Sequence, residues 1–310
     1  MTARLAIAAP VVDSPSAYER QPSFPAPASP SAMRRVGAIN RLLGRVSPAL
    51  ANRMLWKLWF TPQSIKPNAR ATALLASAEQ RFEVYAGDEG ALVSAWGQGP
   101  SVVLAHGWST YGAQLGSFVQ PLVAAGFRVL LFDAPGHGGK ARREFRLDQY
   151  ADLTEAVLLH ALAHGGSVHA VVGHSLGAVA GAMALRRQNL PAHFVALAPS
   201  ANLKTVLQTF QHKLALDEKQ MQRLRLSFTP FFGPGWSREF SLETHFTQLR
   251  GPVLLVHDSD DAEAPLANSH YLQGLRPDAQ LMVTQELGHN RVLHDGAVVQ
   301  AVTRFLAQSH

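Results

Sequence analysis

From residue 81 onward, short apolar runs alternate with longer stretches in which apolar side chains recur every three to four positions. The runs at 101–106, 128–132, 168–174, 193–198, 252–257 and 280–284 read as buried strands. The stretches at 114–125, 147–164, 176–185, 265–275 and 295–308 read as helices. Ahead of them, residues 81–86 and 91–96 flank Gly87-Asp88-Glu89-Gly90 and read as a hairpin. Strands alternating with helices of ten or more residues predict an α/β domain, a mostly parallel sheet with helices on both faces. The alternation pauses over residues 201–249. There 201–209 and 217–226 look helical, and Phe228-Thr229-Pro230-Phe231-Phe232-Gly233-Pro234-Gly235-Trp236 looks like an aromatic loop. An insertion above the carboxyl ends of the strands predicts a short helical lid, with Phe231, Phe232 and Trp236 lining a pocket or anchoring the insertion to the body.

Before residue 81 the pattern differs. Residues 10–32 are dominated by Pro, Ser and Ala, too poor in large apolar groups to offset the entropy of ordering, which predicts a disordered tail over 1–32. Residues 33–60 read as two amphipathic helices split at Ser47-Pro48. In the first, Val36, Ile39, Leu43 and Val46 share a face, with Arg34, Arg41 and Arg45 opposite. In the second, Leu50, Met54, Leu55 and Leu58 oppose Arg53 and Lys57. The organisation expected is therefore a tail (1–32), a basic helical extension (33–80) and one domain (81–310) carrying the lid.

Composition changes this picture in two places. Of the 28 Lys and Arg, 11 fall in residues 1–82 against three acids, so the net charge of +6 comes from the extension. The basic helix pair is either a contact for an acidic membrane surface, using Trp56 and Trp59, or a packing element whose arginines face water. Nothing points to a nucleic-acid partner. No apolar run reaches 18 residues, so no transmembrane helix is expected. The absence of cysteine excludes disulfide and thiolate chemistry and suits the cytoplasm.

Candidate chemistry centres on Gly173-His174-Ser175-Leu176-Gly177, a G-x-S-x-G between an apolar run and an Ala-rich helix. A serine on so sharp a strand-to-helix turn is held exposed, with the free amides of the helix start beside it. As a nucleophile it needs a base and a group that orients the base. His289, in the loop Gly288-His289-Asn290 after the last strand, is the candidate base among 14 histidines; His160, His164, His212, His270 and His310 lack such context. The acid is sought in His257-Asp258-Ser259-Asp260-Asp261-Ala262-Glu263, where Asp261 is favoured and Asp258 is second. Backbone N–H groups of Leu176 and Trp108 are the candidate oxyanion donors, with His106 bracing its loop.

These pieces, with Asp133-Ala134-Pro135-Gly136-His137-Gly138, resemble the α/β-hydrolase superfamily over about residues 81–308. The resemblance implies the α/β-hydrolase fold, a Ser175–His289–Asp261 triad, a structural role for the turn at His137, and neither cofactor nor metal. Asp258 stands where that family's acid loop usually has glycine, and Ala264 where it usually has valine. A serine nucleophile sets the chain apart from the dehalogenase and epoxide-hydrolase branches, which use aspartate there. The expected activity is hydrolysis of a small ester. Thioesterase, lipase and C–C bond hydrolase activities share the chemistry, and a non-catalytic ligand-binding scaffold is the reading from another class.

Overall fold

A computed structural model describes residues 6–7 and 31–308. The expected tail thus lies outside the described residues, apart from Ala6–Ile7 and the start of the first helix. Nine strands form one sheet: β1 (Ala6–Ile7), β2 (Gln80–Ala86), β3 (Glu89–Trp96), β4 (Ser101–Ala105), β5 (Arg128–Phe132), β6 (Val168–His174), β7 (His193–Leu197), β8 (Val253–Asp258) and β9 (Gln280–Thr284). Their spatial order is β1-β9-β8-β7-β6-β4-β5-β3-β2. Strands β4 to β9 are mutually parallel, whereas β1, β2 and β3 join antiparallel at the two edges.

The central strands are apolar throughout because both faces are covered. Side chains alternate between two core layers. Val103, Leu130, Val171, Phe194 and Leu255 meet the helices Leu147–Gly165 and Leu176–Arg187 on one face. Val102, Val129, Val172, Val195 and Val256 meet Val119–Ala124 and Gly296–Ala307 on the other. The chain moves from β4 outward to β5 and later returns to lay β6 on the other side of β4. Loops leaving the carboxyl ends of β4 and β6 therefore diverge, and in open α/β sheets that divergence opens a ligand crevice.

Two expected elements differ. Residues 114–125 hold a 3-10 turn, Gly112–Phe118, before the α-helix Val119–Ala124. The expected aromatic loop is instead the end of a helix, Glu218–Phe232, that runs through Pro230 and stops at Gly233. Pro230 forfeits only a bond to the carbonyl of Leu226, a position 65% exposed and open to solvent.

The two basic helices are Ser31–Val46 and Pro48–Phe60, with Ser47 capping the second. They pack on the insertion helices Leu203–Leu214 and Glu218–Phe232 in a separate apolar cluster. Leu55, Phe60, Leu207, Leu214, Met221 and Phe228 are among its buried members. Trp56 and Trp59 point into it: Trp56 lies 4.6 Å from Phe60, and Trp59 meets Phe210 edge-on at 5.0 Å. The expected face of the first helix is rotated. Gly37 and Asn40 are buried, whereas Ile39 and Val46 are 56% and 86% exposed.

Candidate active site

The residues singled out in the sequence converge because they follow parallel strands, whose carboxyl ends share one edge. Ser175 directly follows β6 at φ 51°, ψ −115°, a strained conformation for a residue bearing a Cβ, and caps the start of the helix Leu176–Arg187. Its amide donates to the Leu197 carbonyl of β7 at 2.9 Å, which fastens the turn to the sheet. Gly177 lets this helix approach the β4 loop: a Cβ there would lie 2.2 Å from the Ala105 carbonyl oxygen.

Asp261 lies beyond β8 with its carboxylate fully used. One oxygen accepts the amides of Glu263 (2.8 Å) and Ala264 (2.9 Å). The other accepts His289 Nδ1–H at 2.7 Å, with His257 Nε2 3.5 Å away. Burial alone would raise its pKa, but the hydrogen bonds from His257 and His289 outweigh it and hold the carboxyl well below the usual range. Because Nδ1 carries the proton, His289 Nε2 is the basic nitrogen. Asp258 is buried elsewhere. It accepts Thr284 Oγ1–H (2.7 Å) and the amides of Leu287 (3.1 Å) and Asp260 (3.0 Å), pinning the loops after β8 and β9 together.

The β4 loop runs against the nucleophile, since a Cβ on Gly107 would sit 3.4 Å from that of Ser175. The Gly107 carbonyl, in the same peptide plane as the Trp108 N–H, accepts His106 Nδ1–H and Thr110 Oγ1–H, each at 2.7 Å. His106 Nε2 in turn accepts the Ala134 amide at 3.0 Å, which fixes the tautomer. Tyr150 donates to the His106 carbonyl at 2.8 Å. His106 therefore braces its loop, as expected, and the His137 ring packs 4.9 Å from it.

Three histidines around the site are neutral. Burial lowers His106 to about 4. His137 falls to about 3 through burial and then through its neighbour His106. His174 also falls to about 3, through burial and then through His289. Sequence reasoning missed a role for His174: its Nε2–H donates to the His289 carbonyl at 3.0 Å, tethering the base's backbone to the residue before Ser175.

A cavity of about 480 Å³ opens at Ser175 and His289. Trp108 and Leu176 line it, as do Phe232 and Trp236 of the insertion, whereas Phe231 lies outside that lining. Phe231 is 56% exposed and packs on Trp56 at 5.3 Å and beneath the Arg146 guanidinium. Leu58, Trp59, Phe60 and Gln63 of the extension also line the cavity, a contribution sequence reasoning missed. The available signal was Leu-Trp-Phe at 58–60 before Pro62, apolar beyond what a solvated helix end needs. Among the described residues, no cluster of His, Asp and Glu could hold a metal ion.

The chain is similar in sequence and fold to several known proteins. A haloperoxidase of the non-heme type from Rhodococcus erythropolis is 29% identical over 66% of this chain and 91% of its own length. A pimeloyl-[acyl-carrier protein] methyl ester esterase from Aromatoleum aromaticum is 26% identical over 61% of this chain and 91% of its own. Among solved structures, an esterase from Pyrococcus furiosus superposes with a TM-score of 0.59 at 19% identity, over 80% of this chain and 98% of that one. The alpha/beta hydrolase family model matches residues 102–301, and the chain belongs to that family.

Proposed function

We propose that the protein is a serine hydrolase that cleaves carboxylic esters through an acyl-enzyme. The observation that carries this reading is the 2.7 Å bond between His289 Nδ1 and buried Asp261, beside a strained Ser175 that faces the same cavity. In the first half-reaction His289 Nε2 takes the Ser175 hydroxyl proton as Oγ bonds to the ester carbonyl carbon. The carbonyl oxygen becomes an oxyanion held by the N–H groups of Leu176 and Trp108. Collapse expels the alcohol, which receives the proton from His289. Water, deprotonated by His289, then attacks the acyl carbon; the intermediate collapses, and the proton returns to Ser175 Oγ as the acid leaves. Asp261, ionised throughout, offsets the positive charge on the ring.

A cavity of 480 Å³ lined by Phe232, Trp236, Leu203 and Val206 suits a small or medium acyl group. The assay is hydrolysis of p-nitrophenyl esters of rising chain length, with a fluorophosphonate probe. Wild type should be labelled and Ser175→Ala should not; an unlabelled, inactive wild type would refute the reading and leave the ligand-binding scaffold. Preference for thioesters, long-chain glycerides or a vinylogous diketone would reassign the activity to thioesterase, lipase or C–C hydrolase on the same triad.

A second reading concerns the surface. Ile39 (56%), Leu42 (59%), Val46 (86%) and Leu50 (54%) leave an exposed apolar stripe on the extension, flanked by exposed Arg35, Arg45 and Arg53. Residues 31–60 carry Arg34, Arg35, Arg41, Arg45, Arg53 and Lys57 and no acid. An apolar ridge with basic flanks suits a peripheral contact with an anionic lipid surface, compatible with a cytoplasmic enzyme. Among the described residues no helix is long and apolar enough to cross a membrane. Flotation with phosphatidylserine vesicles should carry wild type and leave behind Leu42→Glu/Val46→Glu; failure of wild type to float would end this reading.

A further inference from the structure

The segment that follows the second basic helix is bonded across the catalytic face. The Gln63 amide donates to Ser109 Oγ at 2.9 Å. Ser64 Oγ–H donates to the Lys140 carbonyl at 2.6 Å, and Arg142 Nε–H to the Pro62 carbonyl at 3.3 Å. The Phe145 amide donates to the Phe60 carbonyl at 2.8 Å. Residues 60–64 thus form a strap stitched to two loops, one after β4 and one after β5. The β4 loop is the one that carries the Trp108 N–H.

Two features of that loop need holding. Ser109 sits at φ 58°, a left-handed conformation that a serine adopts only when its surroundings fix it. Its hydroxyl oxygen is the acceptor of the strap's Gln63 amide. One residue on, Thr110 Oγ1–H reaches back to the Gly107 carbonyl at 2.7 Å. A carbonyl and the next N–H share one rigid plane. Fixing the Gly107 oxygen therefore fixes the direction of the Trp108 N–H, and hydrogen bonds to that oxygen polarise the same amide.

We propose that the strap, through Ser109, and Thr110, through the Gly107 carbonyl, are positioning elements of the oxyanion hole, so that the N-terminal extension belongs to the catalytic device. This rests on the ester-hydrolase reading. Neither side chain touches the reacting atoms. Both act on the peptide that does, and small misplacements of such a donor are costly because the oxyanion exists only in the transition state and intermediate.

The test uses the full chain and a short p-nitrophenyl ester. Ser109→Gly removes the strap's acceptor while keeping a positive φ inexpensive, so lost activity cannot be ascribed to backbone strain. Thr110→Val removes the donor at nearly constant shape, and Thr110→Ser restores it. Both Ser109→Gly and Thr110→Val should lower kcat by about 10- to 100-fold with KM within about twofold. Affinity for a trifluoromethyl ketone, whose adduct places an oxyanion in the hole, should fall in parallel, and Thr110→Ser should recover most of the loss. Unfolding midpoints in urea accompany each variant. Wild-type kcat in folded Ser109→Gly and Thr110→Val overturns the inference, as does a loss that Thr110→Ser fails to rescue. An inactive, unlabelled wild type fails the ester-hydrolase reading instead, so the two failures are distinguishable.

Discussion

Acid should destabilise this protein well before its carboxylates titrate. His106, His137 and His174 are buried and neutral, with pKa values lowered to about 4, about 3 and about 3. In the unfolded chain each titrates near the ordinary histidine value of about 6.5. Below that value the unfolded state binds protons that the native state refuses, so stability falls as pH falls, from about 6.5 down to the folded values. Between pH 7 and pH 5 each histidine should cost about 2 kcal/mol by linkage, and the three together about 6 kcal/mol. Buried His245, also lowered, acts in the same direction. Asp261 contributes with the same sign but in a lower window. Its folded pKa is depressed, so its stabilisation is intact above the unfolded value of about 3.9 and is lost only as pH falls below it. Since whole domains are stable by about 5–15 kcal/mol, the loss by pH 5 is a large share of the total. Urea unfolding followed by tryptophan fluorescence at half-unit steps from pH 7.5 to 4.5 measures it. His174→Gln, which keeps a donor near the Nε2 position but cannot be protonated, should flatten the slope by about a third of the three-histidine total. A midpoint constant from pH 7 to 5, or an unchanged slope in His174→Gln, would refute the reasoning.

Asp261→Asn should lower kcat by about 10³- to 10⁴-fold, because an amide donates where the His289 ring needs an acceptor. Asp258→Asn should cost about 1–3 kcal/mol in urea unfolding by setting an NH2 against one of the two loop amides that the carboxylate accepts, with kcat within a few-fold of wild type. The reverse pattern would move the acid to Asp258. Gly177→Ala places its Cβ 2.2 Å from the Ala105 carbonyl oxygen, so it should cost about 2–3 kcal/mol and reduce activity as the nucleophile helix shifts; a wild-type midpoint with wild-type activity would contradict the packing. Phe210→Ala removes a ring that lines the cavity and meets Trp59 at 5.0 Å. It should raise kcat/KM for octanoate relative to butyrate esters by about tenfold, and an unchanged ratio would mean that this end of the cavity does not hold the acyl chain.

The central sheet was legible because its strands are buried on both faces, which writes them as unbroken apolar runs between turn residues. The meeting of Ser175, Asp261 and His289 at one edge was legible too, since parallel strands place all their carboxyl ends together. What escaped was set by contacts that periodicity does not record. Apolar spacing put Ile39 and Val46 on one apolar face of the first helix, and the helix docks instead through a seam of small and polar residues. Gly37 admits the Leu214 carbonyl, where a Cβ would sit 1.9 Å from its oxygen. Asn40 is buried between the Ala51 carbonyl (2.6 Å) and Gln220 Nε2 (2.8 Å). Two hydrogen bonds and a close backbone approach outweigh an apolar stripe, which is left facing water. Likewise, Phe228–Trp236 reads as a loop from its Pro and Gly residues, yet a proline at a solvent-facing position near a helix end costs little.

The division of labour within the chain follows from these placements. Every proposed reacting group lies within residues 102–301, the part matched by the alpha/beta hydrolase family model. The walls of the cavity include Leu58, Trp59 and Phe60, which precede that part, and they pack against insertion residues such as Phe210 and Phe228. The proposed reacting groups thus lie within the matched part, whereas the cavity walls come from that part and from the extension together. Because the strap bonds the extension to the loop bearing Trp108, the two stretches are not separable modules. A change in the extension that alters the fit of the acyl group should also alter the rate of the chemical step, and kcat should respond along with KM when Trp59 or Phe60 is replaced.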